Sequence, residues 1–225
     1  MASSNGETIF TLNFHGLGTP GRELPAGELD CWIDEAFFAA ILDAVSSRKD
    51  VQITFDDSNE SDYTIALPLL KARGLKAKFF LVARRVDEKF YLSRDQIRGL
   101  VEAGMEIGNH GMRHQRWRGL DDAALREELI ESRELLQRTA SRPVDRAACP
   151  FGEYDRRVLG ALRAAGYQTI YTSDGGPARS SDWVQARNTV RRSHDLQRVL
   201  EFCRETPSGA KGIARQLKLM LKRWR

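Results

Sequence analysis

Strand-like and helix-like segments alternate along nearly the whole chain, and this alternation restricts the fold more than any other feature of the sequence. Residues 8–15 and 51–56 have the composition of strands, and residues 34–47 between them carry apolar side chains at helical spacing. Further strands are predicted at residues 77–83, 105–108, 146–149, 167–172 and 184–190, and further helices at residues 62–73, 93–103, 121–138, 155–165 and 195–204. The pattern predicts an α/β fold with a mainly parallel sheet.

About seven strands suffice for a distorted barrel, and an open doubly wound sheet is the alternative. In both architectures the carboxyl ends of parallel strands meet at one edge, where functional groups gather. Polar, small or turn-forming residues lie at five predicted strand ends: His15, Asp56 with Asp57, His110, Pro150 to Gly152, and Asp174. The sequence therefore predicts one functional edge built from loops that are distant along the chain.

Length and cysteine content limit the class of protein. The 225 residues suit one domain with a sizeable core, assigned here to residues 1–205, followed by a tail at residues 206–225. The three cysteines are odd in number and far apart, which argues against a disulfide framework or a zinc ribbon. No signal-peptide pattern and no apolar run of membrane-spanning length is visible, so the expected location is cytoplasmic.

The positive net charge of +4 comes from one segment. Every charged residue in residues 211–225 is Lys or Arg, and the rest of the chain carries a slight excess of acid. Nucleic-acid binding is therefore disfavoured. Apolar residues alternate with the basic ones in this tail, which predicts either an amphipathic helix on an anionic membrane surface or a solvated terminal helix.

The first motif with chemical potential is Thr54-Phe55-Asp56-Asp57, in which a strand runs directly into two carboxylates. At a strand end, one Asp can face a metal ion while its neighbour faces a water molecule. A solvated acidic turn is the alternative, since Asp residues commonly form turns.

The second motif is His110-Gly-Met-Arg-His114, which contains two of the four histidines of the chain. In a helix or a tight turn, this spacing places both imidazoles on one face. A structural or exposed pair is the alternative reading for an isolated motif. Together with Asp57, however, the pair forms a two-His, one-carboxylate set, which leaves a coordination position open as in catalytic zinc sites.

The order of TFDD, H-x-x-x-H and Pro150-Phe151-Gly152 resembles the polysaccharide deacetylases with NodB homology, carbohydrate esterase family four. The resemblance covers roughly residues 8–190. It implies a distorted (β/α)7 barrel, a divalent metal that is usually zinc, and metal-assisted removal of N-acetyl groups from a carbohydrate such as a polysaccharide or a lipid-linked glycan.

The resemblance also implies roles for individual residues. Asp57, His110 and His114 match the metal ligands, and Asp56 matches the catalytic base. The turn Pro150 to Gly152 matches the lining of the substrate groove, with the Phe151 N–H at the oxyanion. A strand-one histidine occurs in the permuted branch that includes poly-N-acetylglucosamine deacetylases, so His15 is expected to be the catalytic acid.

Two positions depart from the family pattern. Ser58 stands where Gly is usual, and Ala148 aligns with the Arg that normally orients the base. Asp174 and Arg187 are the candidates to replace that Arg. The departure at Ala148 motivates one alternative, an inactive homologue that only binds glycans, and the shared barrel motivates another, a hydrolase of a different non-peptide C–N bond.

Overall fold

The computed structural model describes residues 6–204 and residue 222. The strands in these residues are β1 Thr8–Phe14, β2 Val51–Asp56, β3 Lys78–Leu81, β4 Glu106–Asn109, β5 Arg146–Ala148, β6 Thr169–Thr172, β7 Ala178–Arg179, β8 Val184–Ala186 and β9 Asn188–Thr189. The α-helices are α1 Glu35–Val45, α2 Leu67–Ala72, α3 Arg94–Glu102, α4 Asp122–Arg126, α5 Ser132–Ala140, α6 Arg156–Ala164 and α7 Leu196–Phe202. Strands and helices therefore alternate as predicted.

Six strands, β1 to β6, lie side by side in chain order and are all parallel. The barrel is closed by two short strands that are consecutive along the chain. β8 pairs with β6 and β9 pairs with β1, both in parallel, and only Arg187 separates them. The predicted distorted (β/α)7 barrel is confirmed. Residues 184–189, which comprise β8 and β9, take the place of its seventh strand and are called the closing strand below. β7 is a short strand that pairs antiparallel with β1.

Aromatic side chains join the first strands of the barrel to the helix that covers them. The rings of Phe14 and Phe38 lie edge to face at 5.0 Å, and those of Phe55 and Phe79 stack at 4.8 Å. All four are buried. Burying one such side chain contributes about 1.5–3 kcal/mol, so this cluster fixes β1, β2 and β3 relative to α1.

Side-chain caps define the starts of most helices. Asp34, Ser93, Asp121, Asp155 and Asp195 each accept a hydrogen bond from a backbone N–H in the first helical turn. Ser93 and Gln96 form a complete capping box, in which each side chain bonds the other residue's backbone N–H. Such caps satisfy N–H groups that have no partner within the helix, which explains why these predicted helix starts agree with the structure.

Two predicted helices contain a π-helical turn, which the hydrophobic pattern did not indicate. These turns are Asp62–Ala66, directly before α2, and Glu127–Glu131, between α4 and α5. In the first, the Leu67 N–H donates to the Asp62 carbonyl, five residues back. Pro68, predicted to disturb this helix, lies in the first turn of α2 just after the π turn, where its missing N–H is tolerated.

The predicted helical tail lies outside the described residues except for Lys222. Cys31, Cys149 and Cys203 are free thiols. Within residues 6–204, no helix combines the length and the apolar character that crossing a bilayer requires.

Candidate active site and metal centre

The predicted site residues meet at the carboxyl edge of the barrel. Phe14 pairs with Phe55 in the β1–β2 register, so His15 and Asp56 follow at the same level. His110 follows β4 directly. These side chains line one open pocket of about 510 Å³, together with Asp57, His114 and Phe151.

Asp57, His110 and His114 form a three-residue cluster that could hold a metal ion. One ligand atom from each lies within 4.8 Å of the others. The Asp57 Oδ1 atom is 3.0 Å from His114 Nε2 and 3.7 Å from His110 Nε2. The prediction that these three side chains, distant along the sequence, converge on one point agrees with the structure.

The chemistry of this cluster fits a divalent cation. His110 Nδ1 donates to the Ala148 carbonyl at 2.8 Å, so the unprotonated Nε2 faces Asp57. Asp57 Oδ1 is buried and has no hydrogen-bond partner among the described residues. This oxygen faces both imidazole nitrogens, with Arg85 3.4 Å away, and one carboxylate with two imidazoles is a ligand set that suits a divalent cation.

Electrostatics hold these groups in the forms that bind metal. Burial alone would raise the pKa of Asp57, but the neighbouring histidines and Arg85 outweigh burial and keep that pKa below its ordinary value. Burial lowers the pKa of His110, and it lowers that of His114 to about 4 despite the nearby Asp57. At neutral pH the site therefore offers one carboxylate and two neutral imidazoles.

Backbone strain is concentrated at this edge. Asp57, Ser58, His114 and Phe151 all have positive φ angles, of 80°, 64°, 56° and 56°. Residues other than glycine rarely adopt this region, and such strain is typical of functional sites. It also explains why a Gly is usual at position 58. Ser58 is held there by its Oγ, which accepts from the Val82 N–H at 2.8 Å.

Glu128, a residue that the sequence did not single out, organises the loop carrying both histidines. Its buried carboxylate accepts from the N–H groups of Met112 and Arg113, and also from the side chains of Gln115 and Trp117. A Cβ on Gly111 would lie 2.2 Å from Glu128 Oε2, so only glycine allows this close approach.

Asp56 is oriented by Arg187. Two parallel hydrogen bonds join them, from Nη1 to Oδ1 and from Nη2 to Oδ2, both of 2.7 Å. The Asn13 amide donates to Oδ2 at 3.0 Å. Arg187 is fully buried. Burial would raise the pKa of Asp56, but the charges of Arg187 and His110 hold it well below its ordinary value.

The second candidate for orienting Asp56, Asp174, makes its described contacts elsewhere. Its carboxylate accepts from the hydroxyls of Tyr154 and Thr172, each at 2.8 Å, and from Lys222 Nζ at 2.6 Å. Lys222 also donates to the Gly152 carbonyl at 2.6 Å. Asp174 therefore anchors the Pro150–Gly152 turn, whereas Arg187 alone of the two contacts the predicted base.

Phe151 projects from that turn across the mouth of the pocket. It is 53% exposed, which is unusual for so large an apolar side chain. Its ring centroid lies 4.6 Å from that of His114, and the Arg116 guanidinium lies 4.5 Å from its face. The ring thus presents an apolar surface beside the candidate metal ligands.

Two further titratable groups, one partly and one fully buried, lie close to the carboxylates of Asp56 and Asp57. His15 lines the pocket, and its Nδ1 is buried without a hydrogen-bond partner in the described part of the chain. Asp62 is fully buried. Burial raises the pKa of Asp62 well above its ordinary value, and the charges of Asp57 and Asp56 add to the effect. Both effects favour the protonated form of Asp62.

The chain folds as a parallel α/β barrel, and a His-His-Asp cluster with an adjacent carboxylate lies at its strand ends. This combination is typical of α/β-barrel proteins that bind a metal ion. Comparison with known families narrows this class. The family model described as polysaccharide deacetylase matches residues 43–170. The chain belongs to this family.

Individual relatives agree with the assignment. The chain is 30% identical over 157 residues to YxkH of Bacillus subtilis (strain 168), named as a polysaccharide deacetylase; the match covers 70% of this chain and 56% of YxkH. It is 30% identical over 129 residues to a peptidoglycan-N-acetylglucosamine deacetylase of Bacillus cereus, covering 57% of this chain and 58% of the relative. The chain thus spans little more than half the length of these relatives.

Solved structures share the fold at lower identity. The Streptococcus pyogenes deacetylase PplD, solved with acetate, superposes with a TM-score of 0.78 at 18% identity, covering 88% of this chain and 99% of PplD. IcaB from Ammonifex degensii has a TM-score of 0.72 at 22% identity, covering 88% and 97%. At these identities the similarity establishes the barrel architecture.

Proposed function

We propose that this chain is a zinc-dependent carbohydrate N-deacetylase, which hydrolyses N-acetyl groups and releases acetate. The observation that carries the proposal is the convergence of Asp57, His110 and His114 beside the Arg187-bound carboxylate of Asp56. Family membership supports the reaction class. The name of the B. cereus relative supports N-acetylglucosamine in a glycan as the acetylated sugar.

The ligand set favours zinc over hard cations, because two imidazoles and one carboxylate suit zinc or another divalent transition metal. When bound, such an ion supplies Lewis acidity that polarises the acetyl carbonyl and makes water more acidic. Asp57, His110 and His114 would hold the ion. Asp56 is the base that takes a proton from the attacking water, and Arg187 fixes the orientation of its two oxygens.

The remaining roles lie on either side of the cluster. We assign to His15 the role of the acid that donates a proton to the leaving amine, and its position in the same pocket as Asp56 supports this role. The backbone N–H of Phe151 would donate to the oxyanion that develops on the acetyl oxygen. Pro150 and Gly152 shape the turn that presents this N–H, and Lys222 holds the turn through the Gly152 carbonyl.

The proposal is tested by metal analysis of the purified protein together with an acetate-release assay on chito-oligosaccharides. We expect about one zinc per chain and zinc-dependent release. Asp57→Ala should lose metal and activity together. Asp56→Asn should keep the metal but lose about 10²–10⁴-fold in rate, the usual range for a general base.

Three results would contradict the proposal in different ways. Full zinc-dependent activity in Asp56→Asn would remove the assigned base. A zinc-loaded protein that releases no acetate from N-acetylated glycans, but binds them, would favour the inactive glycan-binding alternative. Hydrolysis of cyclic amides instead of glycans would favour a different C–N hydrolase.

A cytoplasmic location and a peripheral membrane contact through residues 211–225 complete the proposal. The basic and apolar composition of that segment supports the contact. Flotation with anionic liposomes should recover the full chain but not a variant lacking residues 211–225. Equal recovery of both forms would eliminate the membrane contact.

A further inference from the structure

Three arginines line the pocket that holds the candidate metal cluster. Arg85, Arg116 and Arg191 all belong to its wall, and Glu28 is the single carboxylate there besides Asp56 and Asp57. An uncharged N-acetylated oligosaccharide offers these arginines hydroxyl and carbonyl acceptors but no opposite charge. The charge that each arginine leaves available therefore indicates what kind of substrate fits.

Two of these arginines already have acidic partners. Arg85 donates to the Asp57 carbonyl at 3.0 Å and lies 3.4 Å from its carboxylate, so it is committed to the metal cluster. Arg116 pairs with Glu153. Both members of the second pair are exposed to solvent, and exposed pairs contribute little, so Arg116 can exchange its partner for a ligand.

Arg191 has no carboxylate partner among the described residues. Its described side-chain contact is with Cys31 Sγ at 3.7 Å. Burial raises the pKa of the Cys31 thiol, so this contact is with a neutral group and cancels no charge. Glu28 is bound to Arg22 and does not serve Arg191 either. Arg191 is thus an exposed cation on the pocket wall, with no acidic partner among the described residues.

The strand register places Arg191 near the predicted catalytic acid. Thr189 pairs with Asn13 between β9 and β1. Arg191 and His15 each follow two residues later, and both line the pocket. Arg191 therefore lies on the side of the pocket where His15 would protonate the leaving amine, which is the side that holds the sugar ring.

We infer that the substrate is an anionic N-acetylated glycan, in which a carboxylate or a phosphate on or next to the N-acetylated sugar is bound by Arg191, with Arg116 as a second contact. Guanidinium groups bind both anions through paired, charge-assisted hydrogen bonds. This inference rests on the proposed deacetylase function, and it specifies the substrate class for that site.

The experiment compares matched probes with the zinc-loaded full chain at low ionic strength. Tetra-N-acetylchitotetraose is the neutral probe. An alternating glucuronic acid and N-acetylglucosamine tetrasaccharide carries carboxylates, and a methyl phosphodiester of N-acetylglucosamine carries a phosphate. We expect kcat/KM to be roughly tenfold or more higher for at least one anionic probe than for the neutral one, as charge-assisted hydrogen bonds allow. The better anionic probe identifies the source of the charge.

Variants separate the arginine from general effects. Arg191→Gln should remove most of the preference by raising KM for the anionic probe, while Arg191→Lys should retain part of it. Arg118→Gln is the matched control, because Arg118 is exposed and lies outside the pocket lining. It should leave the preference unchanged. Added salt should weaken the preference in the unmodified chain.

Binding measurements keep the inference decidable even without turnover. Calorimetry with zinc-loaded Asp56→Asn should show tighter binding of the anionic probe, and loss of this difference when Arg191→Gln is added. Equal kcat/KM and equal affinity for neutral and anionic probes, or a preference that Arg191→Gln does not alter, would overturn the inference and leave the deacetylase proposal intact. Absence of acetate release from every probe would overturn the deacetylase proposal, and the calorimetric comparison would then decide by itself whether Arg191 binds an anionic glycan.

Discussion

Replacing Arg187 by Met tests the most buried electrostatic interaction of the site. The guanidinium is fully buried and donates to both oxygens of Asp56 at 2.7 Å, and it also donates to Asn13 Oδ1 at 2.8 Å. Met keeps an unbranched apolar side chain but is shorter than Arg and has no charge. The change leaves Asp56 buried with one remaining described donor, the Asn13 amide.

Removing one partner of a buried ion pair costs about 3–5 kcal/mol, because the other charge stays buried and uncompensated. That loss is a large part of the 5–15 kcal/mol that is typical of a whole domain. We therefore expect Arg187→Met to lower the free energy of unfolding by this amount at pH 7, measured by urea denaturation of the metal-free protein. Adding Asp56→Asn removes the stranded charge and should recover much of the loss.

The pH dependence of stability is a second, independent test of the Arg187–Asp56 interaction. In the unmodified chain the pKa of Asp56 is held below its ordinary value, so its stabilising effect is complete above about pH 4 and is lost as the pH falls further. Without Arg187, burial dominates and raises that pKa. The folded variant then binds a proton more tightly than the unfolded chain, so its stability should improve as the pH is lowered from 7 to 5. The acid limb of its kcat/KM profile should move to higher pH.

This prediction is wrong if the free energy of unfolding of Arg187→Met lies within about 0.5 kcal/mol of that of the unmodified chain, which is the range of ordinary surface substitutions. It also fails if the double variant with Asp56→Asn is no more stable than the single one. Arg187→Lys is the conservative control. It keeps the charge but loses the paired hydrogen bonds, so its free energy of unfolding should lie between those of the unmodified chain and Arg187→Met.

Three further predictions concern the metal cluster and its surroundings. Glu128→Gln should weaken zinc binding roughly tenfold to a hundredfold, the usual cost of disturbing groups that orient metal ligands, and a chelator competition that shows unchanged affinity would remove Glu128 from this role. Burial lowers the pKa of His110 and lowers that of His114 to about 4, so protons should compete with zinc for these two ligands at a lower pH than for ordinary histidines; a loss of zinc affinity centred near pH 6.5 would show that burial does not lower these pKa values. Phe151→Ala should raise KM for glycan substrates with little change in zinc content, because the exposed ring lies beside His114 without binding the metal; equal KM values would mean that the ring does not contact substrate.

Much of the fold could be predicted from the sequence because its signals are local. Apolar runs marked the barrel strands, and capping residues such as Ser93 and Asp121 marked helix starts. Parallel strands then place their carboxyl ends together, so the convergence of Asp57, His110 and His114 followed from topology. The π turns at Asp62–Ala66 and Glu127–Glu131 could not be predicted, since one extra residue in a helical turn barely changes an amphipathic pattern.

The groups that support the site were harder to find because they act over long sequence separations. Glu128 reads as an ordinary helical glutamate, and only folding brings its carboxylate under the histidine loop. The contact between Asp174 and Lys222 spans 48 residues. The two candidates for the missing arginine could not be ranked from the sequence, because their distances to Asp56 depend on how the barrel closes.

The closure of the barrel explains how Arg187 can serve in place of an arginine at position 148. Arg187 is the residue between β8 and β9, where the closing strand changes its pairing partner from β6 to β1. Its guanidinium lies 5.2 Å from the Phe80 ring centroid and 6.0 Å from that of Tyr171, and these rings form a small buried cluster with Ala148. The methyl side chain of Ala148 leaves room for the two rings, and the rings support the guanidinium from below. A long side chain at position 148 would compete for the space that this cluster fills. The small residue at position 148 and the buried position of Arg187 therefore belong to one packing arrangement. In this arrangement the cation that orients Asp56 comes from the closing strand instead of from β5.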